Sequence, residues 1–214
     1  MNLMKIVLLP TILVFASNAW ADSAESALLK SFAHCDGSMF TTLKQNQNTL
    51  QEYAPIETKG NIARFAVKGT QQTKSVFFKK PMIVNGITFT GYQTVESSLA
   101  LGNNLQNAPK FYFWGFTLSP STDLNKVAKQ LPELGLEANG ATMANKPQII
   151  NNVNQSLTWE ANKAIKNGTL PAPNTVEKVL FLERNSKNPT LLCSIQGFIP
   201  TALLRSERPD LNAK

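Results

Sequence analysis

"MIVNGITF", residues 82–89, decides how this chain is read. Asn85 and Gly86 both tolerate positive φ, so the pair suits the two-residue type I′ turn of a β-hairpin. Such a loop sets Val84 opposite Ile87 and Met82 opposite Phe89, four apolar side chains on one face. Strand side chains alternate, so a slip of one residue would expose all four. The stretch therefore predicts an antiparallel sheet with one buried face.

Working outward, the same alternation recurs. "NIARFAV" (61–67) places Ala63, Phe65 and Val67 together. "KFYFWGFTL" (110–118) sets Phe111 and Phe113 on one face, with Tyr112, Trp114 and Phe116 on the other. A strand apolar on both sides has two readings. It is a central strand covered twice, or Tyr112 and Trp114 are exposed as a platform for a sugar ring or as anchors for a partner protein. "VEKVLFLER" and "TLLCSIQGF" close the chain as strands, and the last puts Leu191, Cys193 and Ile195 on one face.

Helical spacing appears at two places. Asp22 with Glu25 fits a capping box, and Leu28, Phe32, Cys35, Met39 and Leu43 fall along one apolar stripe, with a break plausible at Gly37. In "SPSTDLNKVAKQL" Ser119 can cap a helix and Pro120 suits its first position. Leu124, Val127, Ala128 and Leu131 would be its buried side. Residues 137–175 are polar and weakly patterned, which predicts a long excursion with one short helix near Trp159 to Lys166, a place where loops carry binding surfaces. Helices and strands do not alternate regularly. The expected fold class is α+β, an antiparallel sheet with an N-terminal helix and a second helix packed on it, and one disulfide. The expected organisation is a signal peptide over 1–21, a single domain over 22–200 and a polar C-terminal tail over 201–214.

The leader reading rests on Lys5, the apolar run "IVLLPTILVFA" and the small residues of "AWA", with cleavage after Ala21. The run is too short to span a bilayer, which takes about 20 apolar residues. A Gram-negative periplasm is the expected address, with release from the cell as the alternative. The chain carries a formal net charge of +7. Its basic residues are scattered, with no run beyond Lys79-Lys80, so nucleic acid is a poor partner. No helix combines a basic face with a broad apolar one, so stable membrane insertion is not expected.

The chemistry starts from "SFAHCDGSMF" (31–40), where the one histidine, His34, adjoins one of two cysteines. Neighbours on a helix point about 100° apart, which makes His34 an awkward base for a Cys35 nucleophile. Cys35 on the apolar helix stripe and Cys193 on the apolar face of the last strand point into one interface. In an oxidising compartment they pair, which stabilises the fold by about 5 kcal/mol in the chain-entropy model. A lone histidine excludes a multi-imidazole zinc site, and no Gly-x-Ser-x-Gly elbow or phosphate loop is present. No cofactor or metal is expected, and no catalytic residue is singled out. Glu96, Glu160 and Glu183 lie near apolar segments, where a carboxylate pair for glycan hydrolysis would arise.

The Cys-bearing helix near the mature N-terminus, the "FFKKPMIVNGITFTG" hairpin and the closing "LLCSIQGF" strand resemble those of small uncharacterised exported, periplasmic proteins of gammaproteobacteria. The resemblance implies the address and the disulfide and carries no mechanism. The expected function is non-enzymatic: binding another envelope or exported protein as an inhibitor, immunity protein or chaperone, through Tyr112, Trp114, Phe77, Lys79 and Lys80. The alternative is a cell-wall glycan-binding protein or a carboxylate-dependent glycan hydrolase, with peptidoglycan as partner.

Overall fold

The computed structural model describes residues 23–98, 108–163, 171–184 and 188–212. The expected leader and Asp22 lie outside the described residues. A ten-stranded antiparallel sheet dominates, joined by a separate two-stranded hairpin, five α-helices and one disulfide among the described residues.

The chain opens with α1 (Ala24–Phe32) and α2 (Ser38–Gln45), followed by the single turn α3 (Gln47–Leu50). Ser23 caps α1, its hydroxyl accepting from the Ser26 amide. The expected apolar stripe from Leu28 to Leu43 is buried throughout, and the break falls at Gly37. Strands β1 (Ile56–Lys59) and β2 (Ile62–Phe65) form the small hairpin. The short β3 (Lys68–Gly69) then leads into β4 (Thr73–Val84) and β5 (Ile87–Ser98).

The β4–β5 turn matches its sequence signal. Asn85 and Gly86 have φ of 48° and 73°, Val84 faces Ile87, and Met82 faces Phe89. All four apolar side chains are buried. Beyond them the register shifts between Phe77 and Met82, so Phe77 pairs with Gly91.

Central strand β6 (Lys110–Leu118) separates β5 from the closing hairpin, β11 (Val176–Arg184) and β12 (Pro189–Gly197), through a pairing with β12. Between β6 and β11 the chain forms α4 (Leu124–Gln130), a 3-10 turn (Pro132–Leu134), β7 (Glu137–Asn139), β8 (Thr142–Ala144), β9 (Gln148–Ile150) and β10 (Glu160–Ala161). The cap of α4 is Asp123, not Ser119: its carboxylate accepts from the Asn125 amide at 2.9 Å. In the described part of 137–175 the expected excursion is an extension of the sheet. Strands β8 and β9 add to the edge of β11, and β10 adds to β9. The helix expected near Trp159 is not formed over the described residues, where Glu160 and Ala161 are strand; residues 164–166 lie outside them.

Buried side chains of α1 and α2 share one hydrophobic cluster with those of β4, β5, β6, β11 and β12. The Phe32 ring stands edge-on to Phe116, centroids 5.0 Å apart. Gly115, at φ 154°, makes that approach possible, because a Cβ there would sit 2.9 Å from the Phe32 ring and 2.1 Å from the Leu191 carbonyl oxygen. Cys35 and Cys193 are bonded across this interface, closing a loop of 158 residues.

The C-terminal segment corrects the expectation of a polar tail. Thr201–Glu207 forms α5, a 3-10 turn follows over Pro209–Asn212, and Glu207, Arg208 and Asp210 are all buried. These charges find partners inside, so a polar composition does not keep the segment at the surface.

Candidate functional site

The strand "KFYFWGFTL" resolves its two readings by parity. Tyr112 is 3% exposed and Trp114 is 0% exposed, so neither is an outward platform, and both are corrected as partner anchors. Both face the helix layer. Arg208 lies over the Trp114 ring, its guanidinium carbon 4.6 Å from the centroid, and 5.7 Å from that of Phe40. The outward aromatics are the other pair: Phe111 and Phe113 are half-buried, and Phe113 meets Phe181 edge-on at 6.1 Å. On the same face, Val95 faces Phe113 from β5 and Val179 lies across Ser194 on β12, both half-buried. At the sheet margin Phe77 is 76% exposed.

"FFKKP" is split by its bulge. Phe78 turns inward to Phe65 and Tyr53, whereas Phe77 points out. Lys80 pairs with Glu52 at 2.5 Å at the surface and lies 5.1 Å from the centroid of the Tyr53 ring. Lys79 stays exposed, its amide donating to the Tyr53 carbonyl. A bulge, two lysines and a proline on an edge strand are what keeps such an edge from pairing with another chain.

The expected carboxylates do not assemble. Glu160 on β10 is five strand positions from Glu96 on β5, roughly 24 Å at a spacing of about 4.8 Å, whereas a glycosidase pair needs about 5–10 Å. Glu183 shares the face of Thr190 and Thr117, opposite to that of Glu96. Cys35 holds its sulfur in the disulfide beside an exposed His34, so no thiolate faces the imidazole.

On the covered face the fold builds a cleft of about 320 Å³ that the sequence did not announce. Its floor is Lys74 from β4, Tyr92 and Thr94 from β5 and Tyr112 from β6, with Glu96 of β5 at its mouth. Phe65 and Val67 form one wall, and Leu204 and Leu211 another. Arg64 lines it while holding Glu57 at 2.6 Å and the Asp210 carbonyl at 3.1 Å. Arg208 lines it as well, its Nε and Nη2 donating to the two Asp210 carboxylate oxygens at 2.8 and 2.9 Å. Burial works against that guanidinium's charge, but Asp210 outweighs it and holds Arg208 above the ordinary arginine range.

Two hydroxyls complete the site. Burial pushes Tyr112 up to about 12, and the Glu96 carboxylate beside it acts the same way. Tyr92 is 2% exposed, and burial holds its hydroxyl above the ordinary tyrosine range, with Arg208 opposing. That hydroxyl has no hydrogen-bond partner among the described residues. A register count from the Asn-Gly turn would have placed Phe77 opposite Thr94, so the bulge hid which side chains share the cleft floor.

No family model, no curated protein and no solved structure matches this chain. The resemblance to small exported proteins therefore rests on the residues alone.

Proposed function

We propose that the chain is an exported, periplasmic, non-enzymatic protein that binds another envelope protein, as an inhibitor, immunity protein or chaperone does. The binding surface is the face of the sheet turned away from the helices. One observation carries this reading: Phe77 is 76% exposed at the margin of a face on which Val95, Phe111, Phe113, Val179 and Phe181 are each half-buried. A partly exposed apolar face of that kind marks a protein contact more often than free surface. Lys79 at its margin supplies a polar rim, and the guarded β4 edge directs the contact to the face.

Photo-crosslinking in cells tests the reading. A photoreactive residue at position 77 or 113 should yield one discrete heavier species from the envelope fraction, and the same residue at the exposed Asn48 on α3 should not. No adduct from either face position, or an equal adduct from position 48, would remove the reading. Co-sedimentation with purified peptidoglycan in the absence of protein partners would replace it with the glycan-binding alternative.

A further inference from the structure

The cleft lies on the opposite side of the sheet from the proposed protein-binding face, and its charges are divided into spent and unspent. Arg208 is held by Asp210, and Arg64 by Glu57. Lys74, half-buried, and Glu96, exposed at the cleft mouth, form no ion pair among the described residues. Lys74 is paired with Thr94, and Glu96 is two residues further along the same face of β5. That diagonal places their Cα atoms about 7–8 Å apart. An ammonium and a carboxylate at this spacing are bridged by one small molecule carrying the opposite pair.

The Tyr92 hydroxyl is the second, independent sign. A buried hydroxyl without a partner costs about 1–3 kcal/mol, and the Tyr92 side chain that carries this one is part of the lining of the same cleft as Lys74 and Glu96. Phe65, Val67, Leu204 and Leu211 give the remaining wall an apolar lining. About 320 Å³ is the lower end of the range for small-ligand sites. By contrast, both charges of the groove beside α4 are engaged: the Arg184 guanidinium donates to the Pro120 and Thr122 carbonyls, and the Asp123 carboxylate caps α4.

We propose that this cleft binds a small zwitterion, an apolar α-amino acid or short peptide, with its carboxylate on Lys74, its ammonium on Glu96 and a hydrogen bond from the Tyr92 hydroxyl. Binding is non-covalent, and the net charge of the site is unchanged by a neutral zwitterion. The Tyr112 hydroxyl faces the same Glu96 carboxylate and orients it.

The test is calorimetry and amide NMR on the disulfide-bonded chain with L-leucine, leucyl-leucine, L-leucinamide and 4-methylpentanoate. Leucine or leucyl-leucine should bind at least tenfold more tightly than leucinamide, which lacks the carboxylate, and than 4-methylpentanoate, which lacks the ammonium. Binding of leucine alone names a free amino acid as the ligand, and binding of leucyl-leucine alone names a short peptide. The Lys74→Met change should erase the difference between leucine and leucinamide, and Glu96→Gln that between leucine and 4-methylpentanoate. The amides of Lys74, Tyr92 and Glu96 should shift in the same titration. Equal binding of all four probes, shifts confined to other residues, or no binding at millimolar concentration would overturn the proposal. The ligand-side comparisons need no variant, so a change that fails to fold leaves the test standing.

Discussion

Two ion pairs are buried side by side in sequence and do different things. Glu207 reaches β11, where its carboxylate takes Lys178 at 3.2 Å and the Trp159 indole N–H at 2.9 Å. Arg208, the next residue, turns toward β6, stacks on Trp114 and closes on Asp210 two positions on. Successive side chains at a helix end point about 100° apart, so one turn of α5 is fastened to the sheet at two places. The first pair is long-range and ties segments together. The second is local, yet it is the more deeply buried: Arg208 is 1% exposed. Burial depth and sequence separation therefore assign different costs to breaking each.

The local pair should be the more expensive to break. Removing Asp210 alone leaves a buried, uncompensated guanidinium, so Asp210→Ala is expected to lose about 3–5 kcal/mol. The double change Arg208→Met with Asp210→Ala should lose less, because an apolar chain then lies between Trp114 and Phe40. Urea unfolding of the two variants checks this; a double variant worse than the single would show that the charge itself is required.

Glu207→Ala should follow at about 2–3 kcal/mol, since it orphans Lys178 and the Trp159 N–H. Glu207→Gln keeps an acceptor for the indole and should recover part of that. If both variants unfold alike, Trp159 adds nothing to this fastening.

A subtler effect comes from tyrosine. All three tyrosines in the chain are pushed up by burial, Tyr53 and Tyr112 to about 12. A raised folded-state value means the folded protein holds the proton that the unfolded chain releases near 10. The associated stability is intact below pH 10 and falls as pH rises through 12. Absorbance at 295 nm should therefore show no ionisation step at pH 10 and a cooperative rise only as the fold opens. A step at pH 10 would mean that at least one hydroxyl is open to solvent.

What the sequence made legible follows from the same physics. The Asn-Gly hairpin could be read because one local turn and four apolar residues agree. The disulfide could be read because each cysteine lies on an apolar face of its own element. The parity of β6 could not, since Phe113 and Trp114 are equally apolar and only the layer above decides between them. The C-terminal segment reads as a tail because its anchors are Glu207, Arg208 and Asp210, whose partners are invisible until the chain is folded. Strands β7 to β10 are two or three residues long, too short for a period, and exist because the edge of β11 recruits them. The cleft draws on β2, β4, β5, β6 and the C-terminal segment, and two bulges displace the register that would have joined its floor.

The most direct measurement sets Phe113→Ser against Trp114→Ala, neighbours on opposite faces, and reads thermal unfolding together with crosslinking from position 77. Trp114→Ala should lose about 3–5 kcal/mol as a buried aromatic does. Phe113→Ser should leave the fold within about 1 kcal/mol and abolish the crosslinked species. A Phe113→Ser variant that crosslinks like the parent, or a Trp114→Ala variant that unfolds like it, would contradict the outer face as the site of binding.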